Sequence, residues 1–185
     1  MDKKRIEAAM KEIIIAIGED PEREGLQETP ARVARMFEEV FAGLEKDPSI
    51  HAKKVFHEDN SEVVLVKDIT FTSMCEHHFL PFYGKGHIAY IPREGRVVGL
   101  SKLARILEDI SKRPQMQERI TNDVADTLMD TLNPQGVMVI LEGDHMCMNI
   151  RGVKKPGSST VTKATRGLYR NSYELRKEIL DMING

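Results

Sequence analysis

The chain has 185 residues, 41% hydrophobic and 30% charged, with a formal net charge of -2. That length supports one sizeable core and about one domain, and a charge so close to zero argues against a general nucleic-acid binder. No apolar run approaches the roughly 20 residues that span a bilayer, and Met1-Asp2-Lys3-Lys4-Arg5 leads into an amphipathic pattern rather than a signal-peptide core, so a cytoplasmic protein with no membrane partner is expected.

Ile6, Met10, Ile13, Ile14 and Ile17 recur at helical spacing, which predicts an amphipathic helix over residues 2 to 17, ending at Gly18. After a polar turn, Thr29 followed by Pro30 reads as an N-cap with proline in the first helical position. Val33, Met36, Phe37, Val40, Phe41 and Leu44 supply the apolar stripe of this second helix, which runs to about Leu44. Residues 51 to 61 are polar and read as loop, so the chain divides into an N-terminal helical region, 1–50, and a body, 51–185.

Within the body, Val63 to Thr72 is rich in β-branched residues and predicts a strand that delivers Cys75 at its end. Tyr83 to Ile91 predicts a second strand. Leu103, Ile106, Leu107 and Ile110 mark a helix after Gly99-Leu100-Ser101, and Pro114 starts another, carried by Ile120, Val124, Leu128 and Leu132. Val137 to Leu141 and His145 to Val153 predict a second strand pair separated by Glu142-Gly143-Asp144, with Thr160-Val161-Thr162 as a strand end. Asn171-Ser172-Tyr173-Glu174 resembles a capping box before a last helix. The order is α+β, ββααββ, with helices before and after.

The chain has two cysteines, and each lies within three residues of a histidine. Thiolate and imidazole are the ligands zinc favours, and Cys75-x-x-His78 lets one loop supply two of them. Read as a strand, His145, Cys147, Asn149 and Arg151 share one face. Cys75, His77, His78, His145 and Cys147 exceed the three or four ligands of a zinc site, which leaves imidazoles free for proton transfer. The bland alternative for either cysteine alone is a buried apolar thiol.

Ser101, Lys102 and Arg105 sit at a helix start, where backbone N–H groups and the dipole favour an anion such as phosphate. Arg151, followed by Lys154 and Lys155, offers a guanidinium fork to phosphate oxygens. A glutamate at position 118 can accept two parallel hydrogen bonds, which matches N1–H and the exocyclic amine of guanine. The plainer reading is a solvated helix face for Lys102 and Arg105, an edge strand protected by charge for Arg151, and an acidic residue interacting with the helix dipole for Glu118.

Together these segments resemble the GTP cyclohydrolase I family. The resemblance is carried by residues 28 to 33 (Glu28-Thr29-Pro30-Ala31-Arg32-Val33), 73 to 79, 99 to 105, 113 to 119 and 145 to 153, and it spans about Gly18 to Tyr169. It implies the tunnelling fold (T-fold), zinc on Cys75, His78 and Cys147, and His145 as the acid/base, with His77 and Ser101 acting near the ribose. It further implies that Gln117 and Glu118 hold the guanine of GTP and that Lys102, Arg105, Arg151 and Arg32 hold the triphosphate. The implied reaction is hydrolysis and rearrangement of GTP to 7,8-dihydroneopterin triphosphate and formate, the first step of tetrahydrofolate and pterin biosynthesis. The implied assembly is a homodecamer with active sites at subunit interfaces, without regulation through a long N-terminal extension.

Rival readings remain. A zinc nucleobase deaminase would carry His-x-Glu and Pro-Cys-x-x-Cys, and neither is present. A non-catalytic oligomer with a structural zinc would close the metal with four protein ligands. A purine- or pterin-binding relative of the same fold is the third.

Overall fold

Asp2 begins the first helix, α1 (Lys3–Ala16), by accepting a hydrogen bond from the Arg5 backbone N–H at 3.1 Å, satisfying one of the donors a helix start leaves open. The computed structural model describes residues 1–59 and 62–185, which form two units, Met1–Ala42 and Gly43–Gly185. In the first unit α1 packs against α2 (Thr29–Val40), and Ile14 and Ala34 are the residues they bury. Lys3 and Glu38 pair across them at 2.8 Å. Two residues of the expected apolar stripe, Ile13 and Ile17, stay exposed.

Thr29 is the first helical residue and not the cap. Glu28 holds the cap position but makes no side-chain cap bond, because its carboxylate is drawn to Arg32 at 2.7 Å, one turn on. The helix also stops at Val40 rather than Leu44, followed by 3-10 turns over Ala42–Glu45 and Pro48–Ala52. In the second unit the Gly43 N–H donates to the Lys112 carbonyl at 2.9 Å, so a donor that a continuing helix would need is used elsewhere.

The second unit continues through β1 (Val55–His57), β2 (Val64–Cys75), β3 (Pro81–Ile91), β4 (Arg96–Val98), α3 (Leu100–Ser111), β5 (Pro114–Gln115) and α4 (Gln117–Leu132). It ends with β6 (Gly136–His145), α5 (Met146–Asn149), β7 (Ser159–Gly167), α6 (Leu168–Asn171) and α7 (Tyr173–Asn184). One sheet has the order β5-β2-β3-β6-β7, and its four long strands are antiparallel neighbours. With α3 and α4 between β3 and β6, this is the ββααββ tunnelling fold. Leu103, Ile106, Leu107 and Ile110 of α3 and Ile120, Val124 and Leu128 of α4 are almost fully buried with Phe82, Ile88, Val139 and Leu141 of the sheet, each contributing about 1.5–3 kcal/mol. Met138, Ala89, Tyr169 and Ile179 form a smaller cluster on the other face.

Several local expectations change. Within residues 51 to 61, Val55–His57 pair with Arg96–Val98 in a small sheet, while residues 60 and 61 lie outside those described. Pro114 does not start a helix. Pro114–Gln115 run parallel to Met74–Cys75, and α4 begins at Gln117. Ser172 is the cap of α7, accepting from Leu175 N at 3.2 Å, one residue later than a box opened by Asn171.

The largest correction concerns residues 137 to 153. Glu142-Gly143-Asp144 does not separate two strands. β6 runs unbroken to His145, Met146–Asn149 turn into a short helix, and β6 pairs with β7, which extends the expected strand end at 160–162. Gly143 is a strand residue because of close approach: a Cβ there would stand 2.3 Å from Gln117 Oε1, and its cross-strand partner Gly84 would meet the Glu142 carbonyl at 1.8 Å. His145, Cys147, Asn149 and Arg151 therefore do not share a strand face.

Asp109 of α3, 4% exposed, accepts from Lys46 Nζ at 2.8 Å and from His51 Nε2 at 2.7 Å. Burial alone would raise its carboxyl, but these two partners outweigh burial and hold it below its ordinary value. A carboxyl depressed in the folded state adds stability that is fully present above its unfolded value and fades as pH falls through the folded one. Asp109→Asn is expected to lose about 1–3 kcal/mol at pH 7 in urea unfolding, and the gap to wild type should begin to narrow only below about pH 4, as pH falls toward the depressed folded value.

Candidate metal centre and substrate site

Cys75 is the last residue of β2, and the chain turns there at once. Its carbonyl accepts from Phe79 N at 2.8 Å and His78 N at 3.3 Å, while its own N–H donates to Leu80 O at 2.9 Å. Phe79 takes φ 49 to close the turn. On the facing side β6 ends at His145, and Lys155 N donates to Met148 O at 3.0 Å to hold the turn of α5 that carries Cys147. One ligand atom each from Cys75, His78 and Cys147 then lie within 4.8 Å of one another.

The donor set fits a metal ion. The Cys147 thiol is pushed up by burial and then by the neighbouring Cys75, since two thiolates resist forming side by side unless a cation stands between them. His77 Nδ1 stands 3.8 Å from the Cys75 sulfur, and Arg151 Nη1 lies 2.8 Å from His78 Nε2. The strand alternation foreseen for residues 145 to 151 is absent, yet the helical turn brings Cys147 to the cluster and Arg151 to His78.

His145 stacks on Phe82, ring centroids 4.4 Å apart and nearly parallel. Its Nε2 is 2.9 Å from Gln117 Oε1. Gln117 Nε2 sits 3.0 Å from Leu141 O, 2.9 Å from Thr160 O and 3.1 Å from Thr162 Oγ1. Two carbonyls require the NH2 group on that side, so the amide oxygen faces His145 and the histidine donates from Nε2. Burial holds His145 below its ordinary value, opposed by Glu118 and Asp144, which leaves a neutral ring with Nδ1 as its acceptor. Glu118 is exposed in the first turn of α4.

The remaining expected residues lie elsewhere. α3 runs along the sheet: Val98 N, just before it, donates to the Tyr90 hydroxyl at 3.1 Å, and Ser111 O at its far end accepts from Ser73 Oγ at 2.6 Å. Ser73 precedes Cys75 by two residues, so Ser101 and Lys102 lie about 15 Å up the helix from the end beside the cluster. Among the described residues no hydrogen bond or ion pair joins Ser101, Lys102 or Arg105 to the cysteines and histidines. Arg32 belongs to the N-terminal unit and pairs with Glu28. Sequence reasoning missed the anchors of Gln117, namely Thr160 and Thr162, and the Phe82 stack. The alternating Thr160-Val161-Thr162 run was their only signal.

A ββααββ sheet with a thiol–imidazole cluster at its strand ends defines a tunnelling-fold protein equipped to hold a metal. The model of the family GTP cyclohydrolase I matches residues 6–184. The chain is 61% identical over 183 residues to GTP cyclohydrolase 1 of Listeria innocua, covering 99% of this chain and 97% of that protein. It is 60% identical to the proteins of the same name from Carboxydothermus hydrogenoformans, covering 99% and 95%, and from Pelotomaculum thermopropionicum, covering 100% and 98%. A crystal structure of the archaeosine synthase QueF-Like in the apo form superposes with a TM-score of 0.49 at 18% identity, over 59% of this chain and 97% of that one. This chain belongs to the GTP cyclohydrolase I family.

The cluster predicts that the purified protein carries a bound metal ion and that Cys147→Ala loses it, as metal analysis by mass spectrometry would register. A Cys147→Ala protein with undiminished metal would remove Cys147 from the ligand set.

Proposed function

We propose that this chain acts as a GTP cyclohydrolase I, converting GTP and water to 7,8-dihydroneopterin triphosphate and formate, the opening step of tetrahydrofolate and pterin biosynthesis. The observation that carries this reading is the convergence of Cys75, His78 and Cys147 near a half-buried His145, whose pKa burial holds below its ordinary value. The metal is zinc, matched by two thiolates and an imidazole, with three protein ligands leaving a position open. When bound, zinc would lower the pKa of a water molecule toward neutrality. The two cysteines remain thiols in the reducing cytoplasm, ready to take it up.

His145, with Nε2 committed to Gln117, uses Nδ1 to accept a proton and return it to N7 of the guanine as the imidazole ring opens at C8. Glu118 offers two carboxylate oxygens to N1–H and the exocyclic amine of the base. Gln117, its amide engaged by β6 and β7, supports the base site by fixing that first turn of α4. His77 and Ser101 serve the ribose during rearrangement. Lys102, Arg105, Arg151 and Arg32 hold the triphosphate.

The α3 residues and the metal cluster lie at opposite ends of one chain's sheet, which favours an active site shared between copies. Among the described residues the outer edge of β7 and most of that of β2 have no strand partner, and edge pairing would join such sheets into a ring. A decamer of paired rings is the assembly proposed.

Zinc-loaded protein incubated with GTP should release formate and yield a product whose oxidised form fluoresces as a pterin. A chelator should abolish both signals. His145→Ala should keep its zinc and lose turnover by about 10²–10⁴-fold. A zinc-bound oligomer that releases no formate would instead support a structural metal.

A further inference from the structure

Arg119 has no part in the site as described, yet it follows Glu118 in the first turn of α4. Its guanidinium spans both oxygens of Glu76, Nη1 to Oε2 at 2.5 Å and Nη2 to Oε1 at 3.2 Å, and Nη1 also donates to Gln115 Oε1 at 3.2 Å. Gln115, 2% exposed, is itself fixed: its Nε2 donates to Ile110 O at 3.2 Å, and its backbone oxygen accepts from Glu76 N at 3.1 Å. Glu76 therefore has its main chain held by β5 and its side chain held by α4. It stands between the ligands Cys75 and His78.

An exposed ion pair contributes little to overall stability, and these side chains are 28% and 42% exposed. What a two-pronged guanidinium–carboxylate contact does supply is direction. Here it joins the loop that bears two metal ligands to the helix turn that bears Gln117 and Glu118. We propose that Arg119 is a positioning residue, which by clasping Glu76 sets where the Cys75–His78 loop stands relative to the base-reading turn of α4. The proposal rests on the metal and GTP reading above.

The test compares Arg119→Ala, Glu76→Ala, the double variant and Arg119→Lys in the intact assembly. Three quantities are read: the rate of zinc transfer to a chelator, the visible absorption of the cobalt(II)-loaded protein, and kcat and KM for GTP. Each alanine variant is expected to release zinc roughly 10-fold faster or more, to shift the cobalt bands, and to lose kcat more than it raises KM. The melting temperature of the metal-free protein should move little. The double variant should be no worse than the worse single, as for two residues that act only through each other. Lysine, which keeps the charge but not the fork, should fall close to alanine.

Unchanged zinc release and cobalt bands in both alanine variants, or effects that add in the double, would overturn the proposal. If Arg119→Ala does not fold, Glu76→Gln, which keeps the shape and weakens the clasp, is read in the same way, and wild-type metal behaviour there would overturn it too. Wild-type protein that binds zinc but releases no formate would sink the GTP reading instead, while the two metal readouts would still decide whether Arg119 positions the loop.

Discussion

The side-chain amide of Gln117, 1% exposed, is the joint on which the candidate site turns. Its two N–H groups are taken up by a carbonyl of β6, a carbonyl of β7 and the Thr162 hydroxyl, and its oxygen by His145. Rotating that amide would bury unsatisfied donors, at about 1–3 kcal/mol each, so α4 cannot slide along the sheet without losing its contacts together. The same joint dictates sequence at a distance. Gly143 must lack a side chain because Gln117 Oε1 occupies the space a Cβ would need, and β6 runs through that glycine to deliver His145 beside the cysteine–histidine cluster.

Electrostatics at the strand ends follow from what is packed there. Two sulfurs and a histidine converge, and burial and then the neighbouring Cys75 push the Cys147 thiol up. Burial meanwhile keeps His145 neutral against the pull of Glu118 and Asp144. A neutral imidazole does not compete with a cation for the space between the thiols, and it keeps a lone pair for proton transfer. Arg151 supplies the positive charge at the rim, against His78.

Much of this was legible in the sequence, and the gaps have physical causes. Cys75-x-x-His78 was readable because both ligands lie in one turn, whose geometry is local. The helices of the core were readable because Leu103, Ile106, Leu107 and Ile110 must face one sheet. Residues 145 to 153 read as a strand in sequence, whereas Met146–Asn149 form a short helix. Their alternation of polar and apolar residues fits period 2, but Gly143, taken as a break, is a strand interior whose meaning depends on Gln117, 26 positions away in the chain. Pro114 was read as a helix start for the reason that proline suits one, whereas Gln115 is claimed by β2 and by the Ile110 carbonyl. Such contacts are tertiary, and no local pattern announces them.

The separation of Lys102 and Arg105 from the cysteines is the other thing a sequence conceals. Motifs in a linear chain look as though they assemble within one molecule, yet α3 begins at the Tyr90 end of the sheet and finishes at the Ser73 end. Under the GTP reading proposed above, cations at the first end would reach the phosphates only if a second chain brought its own α3 alongside. A β7 edge unpaired among the described residues and the exposed loop after Cys75 suit that arrangement. In such a site, specificity for base and metal would come from one chain and part of the affinity for phosphate from its neighbour, so assembly and catalysis would depend on the same surfaces.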